Sequence, residues 1–150
     1  AAEGKLSAYL NYVGGEDLSG ANGNQVDAVI TGKVSDKFSI GYNGTVKFVK
    51  TNDDNSDSWW ASALYINVDP SPKLGLTLRG EYFDDKDNVT GAFGTSIIQT
   101  TLSFIVKPTP GLIIMPEFRL DAAKDEYFLK NSGESTKSTG SFILAAIVSF

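Results

Sequence analysis

Residues 61–85 read ASALYINVDPSPKLGLTLRGEYFDD, and this stretch decides the fold. Apolar and small or polar residues alternate on both sides of a short connection that contains Pro70 and Pro72. A two-residue period is typical of β-strands whose two faces meet different environments. The stretch therefore predicts an antiparallel hairpin with Leu64 and Leu78 on an apolar face and Arg79 on a polar face.

The same alternation recurs along the rest of the chain. Eight segments show it, at residues 5–13, 25–34, 38–50, 58–68, 74–83, 94–106, 112–120 and 139–150. Most of them approach the roughly 9–11 residues that a tilted strand needs to cross a bilayer. Strands of water-soluble proteins are commonly only about five or six residues long. The lengths therefore favour strands that span a membrane.

The connections between these segments alternate in length. Long connections lie at residues 14–24, 51–57, 84–93 and 121–138, and short ones at 35–37, 69–73 and 107–111. In an up-and-down meander, alternate connections lie at the same end of the sheet. Long loops at one end and tight turns at the other are typical of outer-membrane barrels, with the turns and both termini in the periplasm.

These observations predict one all-β domain over residues 1–150, a closed antiparallel up-and-down transmembrane β-barrel of eight strands. Closure removes the unpaired edges of the first and last strands. Two further features favour a membrane: the polar face is rich in Ser, Thr, Ala and Gly, and aromatic residues lie near strand ends, as interfacial girdles do. The predicted interfacial aromatics are Tyr12, Trp59, Trp60, Tyr82, Phe104, Phe118 and the final residue, Phe150.

Composition excludes several classes of activity. The chain has no Cys and no His, so disulfides, thiolate zinc sites and Ser-His-Asp triads are excluded. Its net charge of −5 argues against a nucleic-acid partner. We therefore expect no enzyme activity and no cofactor. The chain opens Ala-Ala-Glu-Gly, so an exported form would already have lost its signal peptide.

Charged residues cluster on the polar faces of two strands. Both arginines of the chain belong to this cluster, which consists of Arg79, Glu81, Glu117 and Arg119 with Gln99 between them. One interpretation is a charged constriction that tunes solute passage. The other is a salt-bridge network that plugs a narrow lumen, since buried charges must be paired. We expect each arginine to pair with the glutamate of its own strand.

The predicted long loops are acidic. Asp84, Asp85 and Asp87 superficially resemble a calcium-binding loop, but the glycine and the closing glutamate of an EF-hand are missing. Weak binding of divalent cations that bridge lipopolysaccharide is one hypothesis, and solvated loops are the other. A protein partner or a second copy of the chain could also meet these loops.

Three stretches resemble a known family. They are VDAVITGKVSDKFSIGYNGTVKF at 26–48, ASALYINVDPSPKLGLTLRGEYFDDKDNVTG at 61–91 and LSFIVKPTPGLIIMPEFRLD at 102–121. Together they resemble the C-terminal half of the OmpL-like β-barrel porins, over about residues 25–150. RGEYFDD and PEFR are the more specific motifs, and the remainder is general barrel alternation. The resemblance implies a porin of the bacterial outer membrane.

Three functions are compatible with the sequence. The leading one is a porin-like outer-membrane barrel with a narrow or plugged polar lumen that passes small solutes at most. The second is a non-conducting structural or adhesive barrel that binds a partner through its acidic loops. The third is a soluble lipocalin-like carrier with an apolar interior. Its weakness is that an eight-stranded interior cannot hold so many apolar side chains.

Overall fold

A computed structural model of the chain describes residues 5–16, 20–50, 56–91 and 94–149. These described residues contain ten strands, in the order β1 (Leu6–Glu16), β2 (Asn22–Ser35), β3 (Phe38–Lys50), β4 (Ser56–Ser71), β5 (Leu74–Asp84), β6 (Ser96–Thr109), β7 (Leu112–Ala123), β8 (Phe128–Leu129), β9 (Ser135–Thr136) and β10 (Ser138–Val148). Among the described residues, no helix is long and apolar enough to cross a membrane.

Eight of the strands form one antiparallel sheet in the order β1-β2-β3-β4-β5-β6-β7-β10, so each long strand pairs with its neighbours along the chain. The predicted up-and-down arrangement is therefore confirmed. The predicted closure is wrong, because β1 and β10 end the sheet and are not paired with each other. Alternation determines which neighbours pair, but it does not determine the curvature that would bring the two edges together.

The strand count also differs from the predicted eight. The longest connection contains a hairpin in which β8 pairs with β9, through Phe128 opposite Thr136 and Leu129 opposite Ser135. Two-residue strands are too short to show a period, so the sequence pattern missed them. Six of the eight long strands also run further toward the loop end than predicted, whereas β3 ends at Lys50 as predicted and β6 begins two residues later than predicted. β7, for example, continues to Ala123 instead of ending at residue 120.

Each of the three tight hairpins combines a two-residue turn with a break in register. The breaks lie between Lys33 and Ser35, between Val68 and Ser71, and between Val106 and Thr109. Pro70 and Pro108 lie inside two of these breaks, where a residue without an N–H is tolerated. In each hairpin the pair of residues next to the turn joins an odd-numbered to an even-numbered residue. The register break adds one residue to the first strand of the hairpin. Beyond the break, odd-numbered residues therefore pair with odd-numbered residues and even-numbered with even-numbered.

Odd-to-odd pairing places all odd-numbered residues of the long strands on one face. Ala63, Ile97, Gln99, Thr101 and Asp121 on that face are buried, whereas many even-numbered apolar residues are exposed and none of the large ones is buried. These exposed residues include Ile30, Leu64, Leu78, Ile98 and Phe118. No second layer covers the described sheet, so the difference reflects curvature: the odd face is concave and polar, and the even face is convex and apolar.

The strands are tilted, as barrel strands are. One line of paired residues runs across the sheet through Leu6, Gly32, Ile40, Ile66, Leu78, Leu102, Phe118 and Phe142. It starts at the first residue of β1 and meets β10 six residues before its last residue, Val148. With the turn-side ends of β1 and β10 taken at one level, that climb of about 20 Å over about 34 Å of sheet corresponds to a strand tilt of roughly 30°, near the range of closed barrels.

Gly111 holds the turn between β6 and β7 against the end of β10. Its φ is 79°, and its carbonyl oxygen accepts a hydrogen bond from the Ser149 amide at 2.8 Å. A Cβ at this position would lie 2.6 Å from the Ser149 carbonyl oxygen. Glycine is therefore required here both by the backbone conformation and by the close approach of a second chain segment.

We expect Gly111→Ala to lower the free energy of unfolding by at least about 1–2 kcal/mol, because of the left-handed conformation alone. The steric clash with Ser149 adds to this cost. Gly80→Ala is the matched control, since a Cβ there meets nothing within 4 Å. Urea unfolding of both variants, folded in detergent, measures the difference. Equal midpoints for the two variants would contradict the assigned turn.

Candidate functional site on the concave face

The register arranges the concave side chains of β5, β6 and β7 in rows that cross the sheet. One row contains Arg79, Thr101 and Arg119. The row on its loop side contains Glu81, Gln99 and Asp121, and the row on its turn side contains Thr77, Ser103 and Glu117. A basic row therefore lies between two rows that carry carboxylates. The predicted lumen charge cluster Arg79, Glu81, Gln99, Glu117 and Arg119 is brought together on one face.

Arg79 pairs with Glu81 of its own strand, as the sequence led us to expect. The two side chains are 30% and 19% exposed, so the pair is partly open to solvent. The guanidinium also lies over the ring of Tyr65, 5.7 Å from its centroid, within the range of a cation–π contact. Tyr65 can lie flat along the sheet because the residue paired with it on β3 is Gly41, which has no side chain.

Arg119 does not pair with Glu117, and this expectation was wrong. Its Nε donates to both carboxylate oxygens of Asp121, at 2.9 and 3.0 Å. Glu117 instead accepts a hydrogen bond from the Ser103 hydroxyl of β6. Asp121 has the same two-residue spacing from Arg119 as Glu117 has. It was missed because residue 121 was assigned to a loop, whereas β7 continues past it.

Buried polar atoms remain unsatisfied beside these ion pairs. Gln99 is only 8% exposed, and Gln99 Oε1, Thr101 Oγ1 and Arg79 Nε have no hydrogen-bond partner among the described residues. Gln99 also borders a cavity of about 280 Å³. The cavity is lined by Glu81, Phe83, Ile97, Gln99, Arg119, Asp121 and Phe128. Phe128 belongs to the short β8–β9 hairpin, so this loop reaches over the concave face.

A second polar cluster lies on the concave face of the first three strands. Asp27 accepts hydrogen bonds from Asn11 Nδ2 at 3.0 Å, Asn43 Nδ2 at 2.8 Å and Thr45 Oγ1 at 2.6 Å. All four side chains are odd-numbered and lie on β1, β2 and β3. Asp27 is an odd-numbered residue of β2, and the strand register brings these three donors to its carboxylate.

The acidic loop after β5 uses its carboxylates as internal hydrogen-bond acceptors. Asp84 binds Lys86 Nζ at 2.8 Å and raises the pKa of that ammonium group. Asp87 accepts from the Ser58 amide at 3.0 Å, and the fully buried Asp85 accepts from the hydroxyl of Thr90. The described residues contain no group of three acidic side chains arranged to hold a metal ion.

The predicted interfacial aromatics lie at different places on the sheet. Trp60 and Tyr82 contact each other on the convex face near the loop end, with ring centroids 5.0 Å apart. Trp59, by contrast, points to the concave face and packs on Phe83 at 5.6 Å. An odd-numbered residue in β4 cannot share the face of its even-numbered neighbour.

The remaining members of that set lie at several heights along the strands. Tyr12 and Phe104 are on the convex face, and the Tyr12 hydroxyl donates to Asn24 Oδ1 at 2.6 Å. Phe118 is near the middle of β7 and packs on Phe142 at 4.9 Å. It is not at a strand end, because β7 is longer than predicted. Phe150 lies outside the described residues.

An antiparallel up-and-down sheet with an apolar convex face and a polar concave face has the construction of an outer-membrane barrel wall. Comparison with protein families agrees with this class. The family described as "Putative beta-barrel porin-2, OmpL-like" matches residues 1–150, and the chain belongs to that family. Membership indicates an outer-membrane location. No curated protein and no solved structure matches the chain.

A double-mutant cycle distinguishes the two possible partners of Arg119. We expect Arg119→Gln and Asp121→Asn to be coupled by about 0.5–3 kcal/mol in the free energy of unfolding, as directly contacting residues are. The control cycle pairs Arg119→Gln with Glu117→Gln, and its coupling should be smaller because Glu117 bonds Ser103. A larger coupling between Arg119 and Glu117 than between Arg119 and Asp121 would contradict the observed pairing and support the pair expected from the sequence.

Proposed function

We propose that this protein forms a porin-like barrel in the outer membrane of a Gram-negative bacterium and allows passive diffusion of small solutes. One observation carries the proposal: the long strands present apolar residues on the convex face, whereas the charged rows of β5, β6 and β7 and the hydrogen-bonded cluster around Asp27 lie on the concave face. Lipid and lipopolysaccharide are the surroundings suited to the convex face, and water and solutes are suited to the concave face. The role is transport without catalysis.

The concave face supports a wet passage better than a dry core. The Arg79 and Arg119 side chains have exposed fractions of 30% and 41%, and Glu81 retains 19%, whereas the partner of Arg119, Asp121, is nearly buried. Closure of the eight strands on themselves would leave a narrow or plugged lumen, because an interior of that size is filled by side chains. A wider barrel would leave the charged rows lining an open channel, where they tune solute selection.

The alternative functions receive less support. A lipocalin-like carrier needs its apolar face on the concave side, and here that side is polar. An adhesive barrel would bind its partner through the acidic loops. In the described loop after β5, however, the carboxylates of Asp85 and Asp87 already accept hydrogen bonds from Thr90 and Ser58. Because these carboxylates already have hydrogen-bond partners within the chain, a structural role of this loop is better supported than recognition of a partner.

Membrane embedding is tested with one charge placed on either face of β5. Leu78→Lys puts the charge on the convex face and should cost about 2–4 kcal/mol at mid-membrane. Folding into lipid vesicles, followed by the gel-mobility shift between unheated and boiled samples, measures this loss. Thr77→Lys is the matched control on the concave face and should fold normally. Equal folding of both variants in lipid, or a wild-type chain that stays monomeric in plain buffer, would contradict the proposal.

The long loops are proposed to lie outside the cell, with the tight turns and both termini in the periplasm. Protease added to intact cells should therefore cut first between residues 124 and 137, the longest connection. Pro72–Lys73 and Pro110–Gly111 should be protected until the outer membrane is permeabilised. First cleavage in those turns of intact cells would mean that the orientation is reversed.

A further inference from the structure

The concave side chains at the loop end of β5, β6 and β7 form three successive rows of different chemistry. The row furthest from the loops is basic and contains Arg79 and Arg119. The next, called the acidic row here, consists of Glu81, Gln99 and Asp121. The row closest to the loops is apolar and consists of Phe83, Ile97 and Ala123. All three rows lie on central strands, so their order does not depend on how the barrel is completed.

A cavity of about 280 Å³ spans these rows. Its lining includes Arg119 from the basic row, Gln99 and both carboxylates from the acidic row, and Phe83 and Ile97 from the apolar row. Phe128 of the β8–β9 hairpin also lines it. Pockets for drug-sized ligands measure about 300–1,000 Å³, so this cavity suits a smaller metabolite.

We propose that this cavity is a binding subsite for a zwitterionic α-amino acid with an apolar side chain. The α-carboxylate of the ligand would bind Arg119, its α-ammonium group the acidic row, and its side chain the apolar row and Phe128. The inference rests on the porin-like function proposed above and names a class of solute that the passage selects.

The acidic row offers acceptors to an ammonium group. Gln99 lies between Glu81 and Asp121 across the sheet and is only 8% exposed. Its Oε1 has no hydrogen-bond donor among the described residues. An ammonium group has three N–H donors and no acceptor, so it can bond the amide oxygen and a neighbouring carboxylate together. The row therefore lacks the kind of group that an amino acid brings.

Arg119 is placed to receive the carboxylate of the same ligand. Its Nε donates to both carboxylate oxygens of Asp121, which draws the guanidinium toward the acidic row. A guanidinium has five N–H donors, and these two hydrogen bonds use only the one on Nε. Because the Arg119 side chain is 41% exposed, its Nη groups can form the paired hydrogen bonds that arginine makes with carboxylates.

Charge balance favours a zwitterion over other small solutes. Glu81 is paired with Arg79 and Asp121 with Arg119, so these four side chains are neutral as a group. A solute with a single charge would add net charge to a partly buried site, which is costly, whereas a zwitterion adds none. A sugar has no charges to match the basic and acidic rows, and its hydroxyl groups do not suit the apolar row.

Three matched ligands test the two charged contacts. L-leucine carries both charged groups, isopentylamine lacks its carboxylate, and isocaproate lacks its ammonium group. Trp59 reports binding, because it packs on Phe83 at 5.6 Å and Trp60→Phe leaves it as the only tryptophan. In the chain folded in detergent, leucine should change Trp59 emission saturably. Each analogue should bind at least about tenfold more weakly, because each loses a hydrogen-bonded charge.

Two pairs of variants locate the site. Arg119→Gln should bring the affinities for leucine and isopentylamine close to each other, whereas Lys47→Gln removes a concave-face charge of β3 outside the cavity and should preserve their ratio. A ratio of affinities is insensitive to partial loss of folded protein. Phe128→Ala should weaken leucine binding. Leu129→Ala is its control, since Leu129 is the neighbouring residue of β8 and is 72% exposed.

Several results would overturn the inference. Equal affinity for leucine and either analogue would do so, and a stronger response to glucose than to leucine would identify a sugar site instead. Absence of both an emission change and retention of labelled leucine in equilibrium dialysis would also overturn it. Any of these results, obtained with protein that shows the gel-mobility shift, leaves the proposed function intact. Failure of the wild-type chain to fold into lipid vesicles would instead contradict the proposed function.

Discussion

The antiparallel ladder is the constraint on which the rest of this structure depends. Each strand pairs with its sequence neighbour so that odd-numbered residues meet odd-numbered residues, and this matching is maintained across the whole sheet. A slip of one residue would exchange the faces of every following strand. The register breaks beside the tight turns are therefore structural requirements, since each restores the matching that a two-residue turn alone would lose.

The same ladder builds the charged rows of the concave face. Arg79, Thr101 and Arg119 come from three strands and meet only because the pairings between β5, β6 and β7 are aligned. Each arginine then uses a carboxylate two residues away in its own strand, where side chains share a face. The Gln99 and Thr101 side chains between them remain buried with unsatisfied oxygens. This combination of satisfied charges and unsatisfied neutral groups suits a surface that faces water or a polar solute.

The ladder also explains why the edges matter. Central strands satisfy their backbone groups on both sides, whereas β1 and β10 do so on one side only. In water an exposed edge is tolerated, but in lipid it is not.

The sequence by itself determined the eight long strands, their neighbour pairing, the two faces and the alternation of loops and turns. These properties are local, since the two-residue period and the turn residues act within one hairpin. Tertiary structure decided what depends on distant elements. It assigned Arg119 to Asp121 by extending β7, formed the short β8–β9 hairpin, and brought Asn11 and Asn43 to Asp27. It also left the sheet open, because curvature accumulates over all eight strands and no single segment encodes it.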